Sequence, residues 1–281
     1  MTPDMTQLVV WLNAVANACA SVLLAPIAML PGWLSATLAA AVTGVLMLVV
    51  FKHTSNQRAI KRARATIKSN LLALSLFKDS AAVSLRSQGR ILLGAGQLLI
   101  LAIVPMLVML IPMCLLLGQL ALWYQARPLR VDEEAVVTLK LAEVSNALLP
   151  AAQLAANSEF AINVGPVRVP SKHMVCWNVQ ARQPGYHKLT FEVAGQQFEK
   201  EFVAGDAFMP VSLERPGWAW SQALLHPRES PFPLESPVQG IEIDYPHRDG
   251  FTCGSRTWVI YWFAASMVAA FAAKPFLKVS L

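Results

Sequence analysis

Charge is scarce in this chain. Of its 281 residues 14% are charged and 55% are hydrophobic; a soluble chain carries about a quarter charged residues. That deficit, with long uncharged runs, excludes an ordinary soluble protein and implies an integral membrane protein. Catalytic signatures are missing too. There is no GxxxxGK[ST], HExxH, GxSxG or CxxC. The five histidines, His53, His173, His187, His226 and His247, are scattered. His226 and His247 share an irregular stretch with Glu229, Glu235, Asp244 and Asp249, but without metal-ligand spacing. They read as surface polar residues, so no metal, no cofactor and no enzymatic activity is expected. Repeats and low-complexity tracts are absent. The segment MTPDMTQ lacks Lys and Arg, which argues against a cleaved signal peptide despite the A-x-A pattern at Ala16-Asn17-Ala18.

Cysteine is scarce, with four in all. Cys19 and Cys114 sit in apolar runs and read as small buried hydrophobes. Cys176 and Cys253 lie in the polar part. Were that part exported, they could close a long loop worth roughly 4 kcal/mol. Two unrelated thiols remain the alternative.

The runs that carry so little charge set the topology. Residues 33–51 are nineteen uncharged residues, just enough to cross about 30 Å of hydrocarbon. Residues 91–125 carry no charge either, and form one long span that Pro105 and Pro112 kink. Residues 257–274 form the third. Residues 1–32 hold Asn13 and Asn17 four apart on one helical face. They read as an amphipathic or membrane-embedded helix; the alternative is a hairpin of two spans. Between spans one and two, residues 52–90 hold nine Lys/Arg against one acid. The positive-inside rule therefore puts this arm in the cytoplasm. Lys274 and Lys278 mark the inner end of the last span, and residues 275–281 form a cytoplasmic tail.

Residues 126–256 differ in kind. VVTLKL, FAINVGPVRV and MVCWNVQA are β-rich or alternating. HKLTFEVAGQQFEKEFVAG reads as a hairpin: Leu189, Phe191 and Val193 face one way, Gly195 turns, and Phe198, Phe202 and Val203 return. Trp177 and Tyr186 suit the core of such a domain. The fold class is thus a three-span α-helical membrane protein carrying an exported all-β, immunoglobulin-like sandwich. From about Met209 to His247 the chain is proline-rich, and an ordered loop packed by Trp218 and Trp220 is expected.

Within the arm, Ile60, Ile67, Leu71 and Leu74 form an apolar stripe. Arg58, Lys61, Arg62, Arg64 and Lys68 occupy the other faces. Asp79-Ser80 breaks this helix and caps a second, which feeds span two. Such an arm either rests on anionic lipid or binds ribosomal RNA or a client, since basic helices attach to phosphate backbones without sequence preference. Inside the membrane, Asn13, Asn17, Thr37, Thr43, Gln97, Gln119 and Ser266 are uncharged but polar; they either hydrogen-bond between helices or, in the case of Asn13, Asn17, Gln97 and Gln119, line a hydrated groove.

Span one, a basic helical arm, a proline-containing span two and a final span resemble the three-span branch of the YidC/Oxa-type membrane insertase superfamily. The stretch MLVMLIPMCLLLGQLALWYQARPL, Met106 to Leu129, is similar to that branch's second span. The resemblance implies a non-enzymatic biogenesis factor that offers a polar groove and a basic arm to nascent membrane proteins or ribosomes. The chain departs from the pattern by lacking an intramembrane arginine, by its short arm and by inserting the β domain. The other expectation is a structural or adaptor protein, anchored in a bacterial inner membrane, whose exported β domain binds an envelope protein.

Overall fold

The computed structural model describes residues 3–28, 30, 32–76, 81–142, 149–248 and 257–277. Cys253, Lys278 and the Asp79-Ser80 cap lie outside the described residues. The chain divides into two compact units, residues 1–39 with 114–262, and residues 40–113 with 263–281.

Six helices occur among the described residues: α1 Pro3–Ala28, α2 Gly32–Thr54, α3 Gln57–Leu76, α4 Ala81–Tyr124, the short α5 Trp220–Leu225, and α6 Trp258–Leu277. Four of them are long and apolar enough to cross a membrane: α1, α2, α4 and α6. The chain is a membrane protein. The second limb of the arm and span two are one continuous helix, since α4 runs 44 residues through Pro105 and Pro112.

In the second unit the helices meet through small residues. Gly44 of α2 lies so close to α6 that a Cβ there would overlap the Ser266 carbonyl oxygen. Gly94 of α4 receives Ile67 of α3 the same way, its absent Cβ falling 2.7 Å from the Ile67 side chain. Between the apolar helices α2 and α6, where helix association in lipid brings no hydrophobic gain, close backbone approach supplies the packing. The arm is a helical hairpin, but its seam differs from the expected stripe. Ile60, Ala63 and Asn70 are buried, Ile67 and Leu74 half-buried, and Leu71 is exposed. A seam that closes on a glycine selects small side chains beside it.

The first unit holds the β domain. Its strands are β1 Glu134–Leu141, β2 Ala152–Leu154, β3 Phe160–Val169, β4 Met174–Ala181, β5 Gly185–Val193, β6 Gln196–Ala204, β7 Glu214–Pro216 and β8 Val238–Ile243. They form two antiparallel sheets, ordered β3-β4-β1-β8-β7 and β2-β5-β6. One core draws on both, with Val137, Leu139, Val175, Trp177 and Ile241 from one sheet and Leu189, Phe191, Val193 and Phe202 from the other. The order is not that of an immunoglobulin domain, in which the first strand is an edge strand. Here β1 is central, between β4 and the last strand β8. The reason lies in the chain ends. The segments leaving α4 and returning towards α6 are zipped together by an Ala126–His247 bridge. Arg127 N–H donates to Pro246 O at 3.0 Å, and Arg248 N–H to Gln125 O at 3.3 Å. A domain threaded between two membrane helices must begin and end at one place.

The β5–β6 hairpin turns at Ala194-Gly195, both at positive φ. Two expectations for it are corrected. Tyr186 is 48% exposed rather than in the core, because it falls on the outward register of β5. Val203 is buried, but on the side opposite Phe198 and Phe202. It is sealed there at the sheet edge, where its N–H donates to Tyr245 Oη at 2.9 Å and its carbonyl accepts from Leu129 N–H.

Candidate functional site

The polar side chains of α1 have a definite destination. Thr6, Val9 and Asn13 are buried and Asn17 is half-buried, a spacing of three or four residues that defines one helical face. Leu8, Trp11, Val15 and Val22 are exposed on the others. The buried face meets α5 and the residues after it. Asn13 Nδ2 donates to Ala223 O at 2.6 Å and Asn17 Nδ2 to Pro227 O at 2.8 Å. Ala223 belongs to the last turn of α5, whose carbonyls have no partner within that helix. The asparagine amide supplies one. Gln119 of α4 completes the arrangement by donating from Nε2 to Asn17 Oδ1 at 2.5 Å. Gly118 beside it admits α5, since a Cβ there would meet Leu224 O at 3.0 Å.

Of the four residues expected to line a groove, the structure therefore brings together Asn17 and Gln119. Asn13 serves the same junction one turn away. Gln97 is exposed on α4, 22 positions before Gln119 and so about 33 Å along the helix.

A cavity of about 580 Å³ opens beside this junction. Asn17 and Ser21 of α1, Gln119 and Trp123 of α4, and Tyr186 and Arg228 of the β domain line it. Arg228 Nε donates to Glu201 Oε1 at 2.6 Å, and its guanidinium lies 5.3 Å from the Tyr186 ring centre. Burial works against the Arg228 charge, but the Glu201 carboxylate more than offsets it and raises the pKa. The Tyr186 hydroxyl is pushed up, mainly by burial. At neutral pH the wall is a fixed ion pair beside a neutral phenol.

Behind that wall is a buried lysine. Lys200 takes the inward register of β6 between Phe198 and Phe202, and its side chain is wholly buried. Nζ donates to Ser212 O at 2.7 Å and to the Glu229 carboxylate. Glu229 also accepts from Ser212 Oγ and, at 3.0 Å, from Glu201 N–H. Burial lowers the Lys200 pKa, against the pull of Glu229. Ser212 is 2% exposed, and its hydroxyl is spent on Glu229, so the lysine–serine contact is a brace rather than a nucleophile and base. It ties the 209–237 segment to the edge of β6. Sequence reasoning missed Tyr186, Glu201, Arg228, Lys200 and Glu229 as a group. One signal was present: in QQFEKEFVA, alternation puts Lys200 on the core side.

The arm keeps its cations in solvent. Arg58, Lys61, Arg62, Arg64 and Lys68 are all exposed. Cys176 is a free thiol with Sγ 3.7 Å from Thr138 Oγ1; its candidate partner Cys253 is outside the described residues. Among the described residues no group of three His, Cys, Asp or Glu stands ready to hold a metal ion. Comparison with protein-family models, with curated proteins and with solved structures returns no match.

Proposed function

We propose that this chain is a membrane-anchored adaptor of a bacterial inner membrane, whose β domain stands outside the cytoplasm and binds an envelope protein. One observation carries the reading. Three of the four polar side chains expected in a client groove act as struts: Asn13 and Asn17 hold α1 to α5 and Pro227, and Gln119 holds Asn17. A helix committed in this way to a β domain lies in the membrane plane with its apolar face in lipid. The spans are then three, α2, α4 and α6. The basic arm remains inside, and the β domain emerges on the other face. The docking surface is the cavity wall, where a half-exposed tyrosine and a braced arginine combine two of the residue types enriched at interface hot spots.

The test uses full-length protein in cells, with the native cysteines replaced. Single cysteines at Lys68 and Lys140 report topology through an impermeant thiol reagent. A photocrosslinking residue at Tyr186 reports the partner. Labelling at 140 but not 68, with a protein crosslink from 186, is the expected result. Labelling of both positions from one side overturns the topology, and no protein crosslink from 186 overturns the docking surface.

A second reading, a biogenesis factor resembling an insertase, draws on the five solvent-exposed cations of α3. It requires salt-sensitive association of that arm with ribosomes or nascent chains. Replacing all five by glutamine abolishes the association if the reading holds. If no such association exists in the unaltered protein, the reading falls.

A further inference from the structure

The zipped neck of the β domain gathers three arginines. The Ala126–His247 bridge sets Arg127 and Arg248 on adjoining segments, and Arg130 follows Arg127 three residues later. The three line one cavity of about 180 Å³ together with Gly205 and the acidic Asp206. Gly205 holds φ near +128°, which residues with side chains rarely adopt. Two of the three guanidiniums are held by several contacts. Arg127 makes a paired fork to Glu133 at 2.7 and 2.8 Å. Arg248 donates from Nε to Ala126 O at 3.3 Å and lies 4.2 Å from the Phe208 ring centre. Arg130 reaches Asp206 at 3.5 Å, and both of these side chains are largely exposed. Phe208 itself stacks on Trp123 at 5.7 Å, and Trp123 and Tyr124 end the apolar helix α4.

We propose that this cavity binds a phosphate ester supplied by a phospholipid headgroup. Guanidinium groups match phosphate oxygens in pairs; with the Arg127 fork committed to Glu133, Arg130 and Arg248 are the side chains that would meet those oxygens. The position names the source. An aromatic residue at the end of a membrane helix marks the headgroup level; Trp123, partly exposed at the end of α4, is such a residue, and Arg127 follows it by four positions. This holds whichever face of the bilayer the β domain occupies, so it stands independently of the adaptor reading. The arginine cluster fastens the neck to the lipid surface and fixes the height of the domain above it.

The experiment measures lipid retained by the full chain in detergent, by native mass spectrometry. The probes are phosphatidylglycerol, diacylglycerol with the same acyl chains, and inorganic phosphate as a competitor. The variants are Arg130→Gln, Arg248→Gln and their combination. Arg127 is spared because its fork to Glu133 shapes the neck. Phosphatidylglycerol retention is expected to weaken about fivefold per arginine removed, with diacylglycerol unchanged and inorganic phosphate failing to displace the lipid. Equal retention of phosphatidylglycerol by the double variant overturns the site, provided its melting temperature matches the unaltered protein. If Arg248→Gln lowers melting, Arg130→Gln alone decides. Diacylglycerol held as tightly as phosphatidylglycerol removes the phosphate from the recognition. Displacement by millimolar phosphate overturns the lipid source and makes the ligand a soluble phosphate ester.

Discussion

The two units of this chain bury opposite kinds of side chain. The β domain puts its largest residues inside, with Phe191, Phe202, Leu139 and Ile241 at zero exposure. The membrane helices of the second unit bury mainly small residues, Ala40, Thr43, Gly44, Gly94 and Ser266, besides Leu48, and leave Leu92, Leu93, Leu99 and Ile100 outside. The difference is one of solvent. In water, removing large apolar surface is the main driving force, at roughly 25 cal/mol per Å². In lipid that gain vanishes, and helices associate where small residues let backbones approach. The same amino acid has opposite value in the two units, and substitutions can test this directly.

The largest effect is expected where the β domain breaks its own rule, at Lys200. Removing one member of a buried ion pair strands the other, at about 3–5 kcal/mol. Lys200→Ala therefore lowers domain stability by that amount in denaturant melts of the full chain. Lys200→Met with Glu229→Gln recovers most of it, because an uncharged pair of similar volume is often neutral or better. Failure of the double variant to recover would mean that the Ser212 and Glu201 contacts, rather than the charge pair, hold the segment. The pH dependence has a definite sign. Burial lowers the Lys200 pKa, so the unfolded chain binds that proton more tightly. The domain gains stability as pH rises from the folded pKa towards the ordinary value near 10.4, and loses it again on the way down.

These two regions were unequally legible in the sequence. Strands β3 and β4 follow from FAINVGPVRV and MVCWNVQA over the same residues, because alternation and β-branched residues are local signals. The register of Tyr186 was open to the same alternation, yet residue type pulled it towards the core. The pairing of β1 with β8 was beyond reach, since about a hundred residues separate them and no local pattern encodes a partner strand. Asn13 and Asn17 were legible as one helical face, but their acceptors, the carbonyls of Ala223 and Pro227, are backbone atoms that carry no residue signature. Gln97 shows the limit of composition: a polar residue in an apolar run is not thereby in a groove.

Within the helical unit the largest effect is expected at Gly44, which sharpens the comparison. A Cβ there overlaps the Ser266 carbonyl, which is backbone and cannot turn aside. Gly44→Leu adds apolar volume, which would be tolerated were burial the only concern. It is expected to cost about 1–3 kcal/mol, the range for overpacking. The measurement is loss of an α2–α6 crosslink or a lower melting temperature in lipid. Gly89 is the control, since nothing lies within 4 Å of a Cβ at that position. Gly89→Ala should be neutral or slightly stabilising, by up to about 1 kcal/mol through helix propensity.

At Asn17 the effect should be smaller, because polar contacts in or near lipid contribute about 1 kcal/mol or less each. Asn17→Leu removes two hydrogen bonds and leaves Gln119 and the Pro227 carbonyl to find other partners. Faster proteolysis near α1, with the β domain still folded, is the expected readout. Gln97→Leu should change neither. If Gln97→Leu weakened function while Asn17→Leu did not, a groove elsewhere on α4 would replace the strut account.

The smallest effect is the most discriminating, because it compares one substitution in two solvents. Leu139→Ala removes a side chain at zero exposure from the β core and should cost about 2–5 kcal/mol. Leu99→Ala alters a residue 69% exposed on α4. Leucine there gains nothing over alanine from burial, and alanine is at least as good a helix former, so the change should stay within about 0.5 kcal/mol. Ile100, 67% exposed on the same helix, should behave likewise. If Leu99→Ala in lipid proved nearly as costly as Leu139→Ala, lipid could not be what covers that face. Another polypeptide would have to pack there, and the bare stretch of α4 would be an interface instead of an anchor.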